Sequence, residues 1–166
     1  DFANYKVQCL TVEDRVYGVP FDSGTAGIFY RTDYLEQAGY SAEDMVDITW
    51  PEMIEIAKAV REKTGKYAFD FLPSECAFAW FDSAMQSTGE WFYDEEGNAD
   101  FVNNKAVREM FDVVKELWNS DCVYRSASRD SAAVSAIQEG EVAFCLTAVW
   151  GSNTITAGTD ASGLWD

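Results

Sequence analysis

Trp150, Asp22 and Glu75 are the residues whose types and placement suit recognition of a ligand. An indole offers a flat apolar surface, and carboxylates accept hydrogen bonds. Trp150 follows the apolar run Val142-Ala143-Phe144-Cys145-Leu146 within four residues and precedes Gly151 and Ser152. In an α/β sheet the carboxyl end of a strand is where ligands bind. A Trp there is either a plug for the end of the core or a platform for a ligand. The chain has no histidine, which removes Ser-His-Asp and Cys-His catalysis and every His-ligated metal site. Cys9, Cys76, Cys122 and Cys145 lie far apart with no C-x-x-C pair. Structural zinc and a dense disulfide framework are therefore not expected, and buried free thiols are. Asp94, Glu95, Glu96 and Asp100 look superficially like a calcium loop. With Gly97 as the required glycine, that loop would begin at Phe92 rather than at Asp, so it reads as a solvated turn. No catalytic residue, metal or cofactor is assigned.

Composition narrows the setting. A chain of 166 residues that is 48% hydrophobic can bury one real core and is not disordered. No apolar run approaches the ~20 residues of a membrane span. Lys and Arg number 12 against 29 Asp and Glu, a net charge of −17. Phosphates would be repelled, so nucleic acid and anionic membranes are not expected partners. The chain opens at Asp1 without Met and reads as a piece of a longer protein, so a missing leader says nothing about compartment.

The elements that must position these residues are marked along the chain. Val134 and Ile137 give a helix its apolar side, Gly140 supplies the left-handed stop, and Val142 to Leu146 suits a strand buried on both faces. Earlier, Arg15 to Phe21 reads as an extended run ended by Pro20, Asp22 to Gly27 as a small-residue turn, and Ile28 to Arg31 as a second strand. A plain β-turn-β hairpin is one reading of that stretch. Thr32 or Asp33 can cap a short helix through Ala38, stopped by Gly39, and Ser41 to Val46 can form one more turn. Thr49 and Glu52 form a capping box with Pro51 in the first turn, and Trp50, Met53, Ile54, Ala57 and Val60 make one stripe before Gly65. Trp50 starts that stripe and is expected to pack rather than touch a ligand.

Tyr67 to Phe71 is a strand candidate. Pro73 and Ser74 open a helix carrying Phe78, Phe81, Ala84 and Met85, with Glu75 in its first turn, where the helix dipole favours a carboxylate. Trp91 to Tyr93 and Ala99 to Phe101 flank Gly97 as a small hairpin. Asn103 or Asn104 starts the longest helix, whose Val107, Met110, Phe111, Val114, Leu117 and Trp118 are expected in the core. Asp121 to Asp130 reads as a polar loop, and Leu164-Trp165 as the beginning of a strand. Strands alternating with helices predict an α/β fold with a mostly parallel sheet flanked by helices.

Several stretches resemble one family. Ala133-x-x-Ala136-Ile137-x-x-Gly140-x-Val142-Ala143-Phe144 with Trp150 a few residues on, Tyr17-Gly18-Val19-Pro20 followed by Phe29-Tyr30-Arg31-x-Asp33-x-Leu35, and Thr49-Trp50-Pro51-Glu52 are together similar to the extracellular solute-binding proteins of ABC sugar importers, the maltose-binding-like receptors. The resemblance runs from about Val16 to about Trp150. It departs at Arg31, where the family usually has Asn. It implies one lobe of a two-lobed, periplasmic-binding-protein-like (type II) fold, with residues 1–24 as the inter-lobe or hinge segment and 25–166 as the second, C-terminal lobe lacking its returning segments.

The same resemblance implies a carbohydrate-binding lobe whose full-length protein captures a sugar or oligosaccharide for a membrane permease, outside the cytoplasm, periplasmic or anchored as a lipoprotein, and as a monomer. A sugar has apolar C–H faces and a rim of hydroxyls, which suits an aromatic platform with hydrogen-bonding groups. Carried over residue by residue, Asp22, Ser23 and Gly24, Glu75 and Phe78, and Trp150 with Gly151 match the cleft. Where maltose-type receptors have an aromatic three residues before the Trp of the helix after Pro73, this chain has Ala77, with Phe78 as its neighbour. Two other functions share these features. A glycoside hydrolase needs two carboxyl groups about 5 to 10 Å apart, and acids are plentiful. A sensor or surface interaction module could use the same fold.

Overall fold

The computed structural model describes every residue except 1, 23, 72–74, 95, 126–130 and 159–162, and of residues 71 and 75–79 the backbone alone. The chain opens with helix α1 (Asn4–Gln8) and a two-stranded hairpin, β1 (Thr11–Val12) and β2 (Arg15–Val16). Glu13 and Asp14 make its tight turn with positive φ, a conformation that Asp tolerates better than most residues. The extended run expected to reach Phe21 thus ends as a strand at Val16, and β2 pairs back to β1 rather than forward across the Asp22 to Gly27 turn. Strand β3 (Ala26–Tyr30) instead joins the main sheet.

After β3 come α2 (Thr32–Gln37), a 3-10 turn (Ala42–Met45), α3 (Trp50–Thr64), β4 (Tyr67–Phe71), α4 (Glu75–Ser87), α5 (Lys105–Asn119), β5 (Val123–Arg125), α6 (Ser131–Gln138), β6 (Val142–Ala148) and α7 (Ser152–Ile155). The main sheet is four-stranded in the order β3-β6-β4-β5. β6 is parallel to β4, β4 is parallel to β5, and β3 runs antiparallel on the β6 edge. The α/β class with a mostly parallel sheet is therefore as expected. At the far end Trp165 bridges Arg31, and Tyr30 and Asp166 exchange both backbone hydrogen bonds at 3.0 Å. The strand expected at Leu164-Trp165 is reduced to this single bridge at Trp165, beside the end of β3, with Leu164 in a turn.

Local signals explain the helices. Thr49 N–H and Oγ1 both donate to the Glu52 carboxylate, at 2.9 and 2.6 Å, and Gly65 closes α3 at φ +72°, as the box and the glycine predict. Met53, Ile54, Ala57 and Val60 are buried, with Ile56 added. The Asn104 carboxamide accepts from Val107 N–H at 3.0 Å and donates to the Trp91 carbonyl at 2.7 Å. One side chain thus caps α5 and holds the hairpin, whose strands meet at Tyr93 and Ala99.

Four expectations are corrected. Neither Thr32 nor Asp33 caps α2: the N-cap is Arg31, and Asp33 takes two 2.8 Å hydrogen bonds from the Arg31 guanidinium. Phe111 is 61% exposed. It follows Met110 directly, about 100° further round the helix, and both cannot face the sheet; Val113 and Ala106 are buried there instead. The polar loop from Asp121 contains β5, whose three residues are too short to show a period but pair in register with Phe69 to Phe71. In α6 the buried residues are Ala133 and Ala136, because only small side chains let a helix approach a sheet closely. Val134 and Ile137 are half-buried.

The core lies between the sheet and the helices α2, α3, α4 and α5. Phe69 and Phe144, paired in register on β4 and β6, are fully buried with ring centroids 5.5 Å apart. Trp80 packs edge-on to Phe69 at 5.9 Å and against Trp50 at 5.1 Å. Trp50 is a packing residue, as expected, and its indole N–H donates to Ser87. Adjacent strand residues point to opposite faces, so Cys145 and Thr147 face away from this core, toward α6 and α7.

Candidate functional site

β4 and β6 are parallel neighbours, so both strands end at the same edge of the sheet. On the face away from the main core, at that edge, lies a cavity of about 190 Å³. Asp70 of β4, Cys145, Leu146 and Thr147 of β6, and Val134 and Ile137 of α6 are among its walls. Trp150, in the single turn that follows β6, stands at its margin and is 58% exposed. The site thus occupies the strand ends where α/β folds place ligands. An exposed indole is unusual for a residue that plugs a core, because Trp is highly buried on average.

The neighbourhood of Trp150 is built by backbone contacts. Ala26 pairs with Ala148, and Val149 N–H donates to the Thr25 carbonyl at 3.0 Å. This draws the segment entering β3 across the end of β6. A Cβ built on Gly24 would lie 3.3 Å from Ala148 Cβ and 3.6 Å from Trp150 Nε1. The fold therefore brings together Gly24 and Trp150, which lie 126 positions apart in the sequence. Gly151 also lines the cavity but is itself buried. A Cβ there would lie 2.6 Å from Thr147 Cγ2, so the missing side chain makes room for Thr147 rather than open space. Behind the cavity, Gln138 Nε2 donates to the Thr154 carbonyl at 3.0 Å and ties α7 to the end of α6.

The other sequence-derived site residues are placed less fully. Asp22 is exposed on the irregular segment before β3. Glu75 is the first residue of α4 and Phe78 lies in its first turn; both side chains lie outside the described residues, as does Ser23. Chain leaving β4 reaches Glu75 within four residues of Phe71, which at ~3.6 Å per extended residue keeps α4's start within ~15 Å of the same sheet edge. Sequence reasoning missed Asp70, Thr147 and Thr154 as lining residues. An acid inside the otherwise apolar run Tyr67 to Phe71 was the available signal, since a charged residue in a buried strand is seldom there for packing.

The description "bacterial extracellular solute-binding protein" fits residues 2–163. A lactose-binding protein of Rhizobium radiobacter is 38% identical over 164 residues, covering 99% of this chain and 38% of that protein. Among solved structures, the GacH receptor of Streptomyces glaucescens matches with a TM-score of 0.77 at 22% identity, over 99% of this chain and 42% of that one. The galacto-N-biose-/lacto-N-biose I-binding protein of an ABC transporter from Bifidobacterium longum matches with a TM-score of 0.78 at 21% identity, over 100% of this chain and 41% of that one. The chain belongs to the bacterial extracellular solute-binding proteins. It has the fold of the type II periplasmic binding proteins and spans about two-fifths of the length of the relatives it matches.

Proposed function

We propose that this chain is the second lobe of a two-lobed receptor that captures a sugar or oligosaccharide for an ABC importer. The observation that carries the reading is the exposed indole of Trp150 at the carboxyl end of β6, with the Gly24 backbone drawn up beside it. A flat apolar ring with backbone groups beside it is the chemistry a sugar requires, with C–H faces against the ring and hydroxyls on the polar groups; Asp22, exposed two positions before Gly24 in the sequence, is the proposed acceptor. The relatives are named for lactose and for galacto-N-biose and lacto-N-biose, which supports a carbohydrate ligand. Residues 1–24 form the inter-lobe segment and 25–166 the lobe. In support, Tyr17, Val19 and Phe21 are exposed, and among the described residues the core draws nothing from positions before Ile28.

The full-length protein releases the sugar unchanged to a membrane permease, acts as a monomer outside the cytoplasm, periplasmic or lipid-anchored, and is not an enzyme. A thermal-shift screen of the full-length protein against mono- and oligosaccharides tests this. A sugar at ~100 times its Kd adds about 2.7 kcal/mol of stability. A screen in which no sugar raises the melting temperature overturns the reading.

A further inference from the structure

We infer that the cavity beside Trp150 receives a methyl group carried by the sugar, standing on an acetamido substituent or on a 6-deoxy carbon. The inference rests on the sugar-binding reading above. Its ground is the mismatch between Trp150's surroundings and a sugar's usual surface. A pyranose displays hydroxyls around its whole rim, and a hydroxyl buried without a partner is disfavoured. The cavity offers few partners. Ala133, Val134, Ile137 and Ile155 line it with hydrocarbon. Polar side chains come from Asp70, Thr147 and Thr154, with the weakly polar thiol of Cys145. Thr147 is pressed against Gly151, which leaves it little freedom to turn toward a ligand.

At about 190 Å³ the space exceeds what one water needs, yet a water requires two to four polar partners to be held. A methyl group requires none. Trp150 forms part of both surfaces, the exposed platform and the cavity margin. A ring stacked on its face would carry a substituent over the edge of the indole and into the space between α6 and β6. The preference is thus for a sugar with one apolar projection over the same sugar bearing only hydroxyls. A methyl-sized group in an apolar pocket changes affinity by roughly 10–200-fold.

Calorimetry on the full-length protein tests this with matched sugars: lactose against N-acetyllactosamine, galactose against N-acetylgalactosamine and D-fucose, and glucose against N-acetylglucosamine and D-quinovose. The expected result is that in at least one set a methyl-bearing member binds ~10-fold or more tightly. The acetamido and 6-deoxy arms separate the two sources of the methyl. Val134→Phe, which fills the cavity from α6, should abolish the gain, read as the ratio of affinities within each set. If Val134→Phe does not fold, Ile137→Phe fills the space from the next turn. Equal affinities within every set, or a gain that survives the filled cavity, overturn the inference while leaving the sugar-binding reading intact. If neither these sugars nor the wider screen binds, the sugar-binding reading falls, and this inference with it.

Discussion

Gly151 and Thr147 occupy space that admits only a hydrogen on the glycine. A Cβ on Gly151 would stand 2.6 Å from Thr147 Cγ2 and 2.8 Å from its Oγ1. Thr147 is β-branched and held in β6, so it cannot swing aside freely. The close approach lies one residue after Trp150, in the turn out of β6.

Gly151→Val should lower stability by about 1–3 kcal/mol through overpacking. Adding Thr147→Ala should recover part of that loss, because the two changes share one contact and are not additive. Denaturant melts of the single and double variants measure it. Equal melts for Gly151→Val with and without Thr147→Ala would show that the contact is not what excludes the side chain.

Trp150→Ala separates platform from plug. An indole that is 58% exposed should cost little stability when removed, well short of the ~3–5 kcal/mol of a buried Trp. In the full-length protein it should cost at least ~1–3 kcal/mol of sugar binding. Melts and titrations on the same variant decide. A badly weakened fold that still binds sugar normally assigns Trp150 to the core.

Tyr30 gives a pH dependence of known sign. Burial, then its 2.7 Å hydrogen bond to Asp166 and the charge of that carboxylate, push the phenol up to about 12. An unfolded tyrosine titrates near ~10. The folded state therefore holds the proton more tightly, and its contribution is complete below pH ~10 and lost as pH rises toward 12. Tyr30→Phe should flatten the stability profile in that window and remove a step near pH 12 from the absorbance of tyrosinate. An unchanged alkaline profile would contradict the assignment.

The thiols should fall into two kinetic classes. Cys9 is exposed, whereas Cys122 and Cys145 are buried, and none of these three is bonded to another. A thiol reagent should modify Cys9 in the native protein and reach Cys122 and Cys145 only on unfolding. Mass spectrometry under non-reducing conditions should find no disulfide, and two intact disulfides would refute this account.

Local chemistry made much of the fold readable. The Thr49–Glu52 box, the Asn104 cap and the left-handed glycines Gly65 and Gly140 involve residues within four positions of each other, and such interactions form whatever lies across the sheet. The run Val142 to Leu146 was legible as a strand because burial on both faces leaves a continuous apolar signature. Arg31 departs from the family pattern, which usually has Asn there. In the structure it is the buried cation that holds Asp33 and stacks 4.3 Å from the Tyr34 ring. Burial alone would raise the Asp33 carboxyl, but the Arg31 hydrogen bonds and charge outweigh it and hold it below the ordinary range.

Sequence alone therefore determined most element types, most helix ends and the α/β class, because each depends on neighbours in the chain. Only the tertiary structure decided the strand order β3-β6-β4-β5 and the existence of β5, whose three residues acquire meaning through pairing with Phe69 to Phe71. It also decided that Phe111 stays largely exposed, that Asp70 and Thr147 share a cavity, and that Gly24 meets Trp150. These depend on segments more than fifty positions apart coming into register, or on which side of a helix faces the sheet, and side-chain burial is a property of that assembly rather than of any stretch within it.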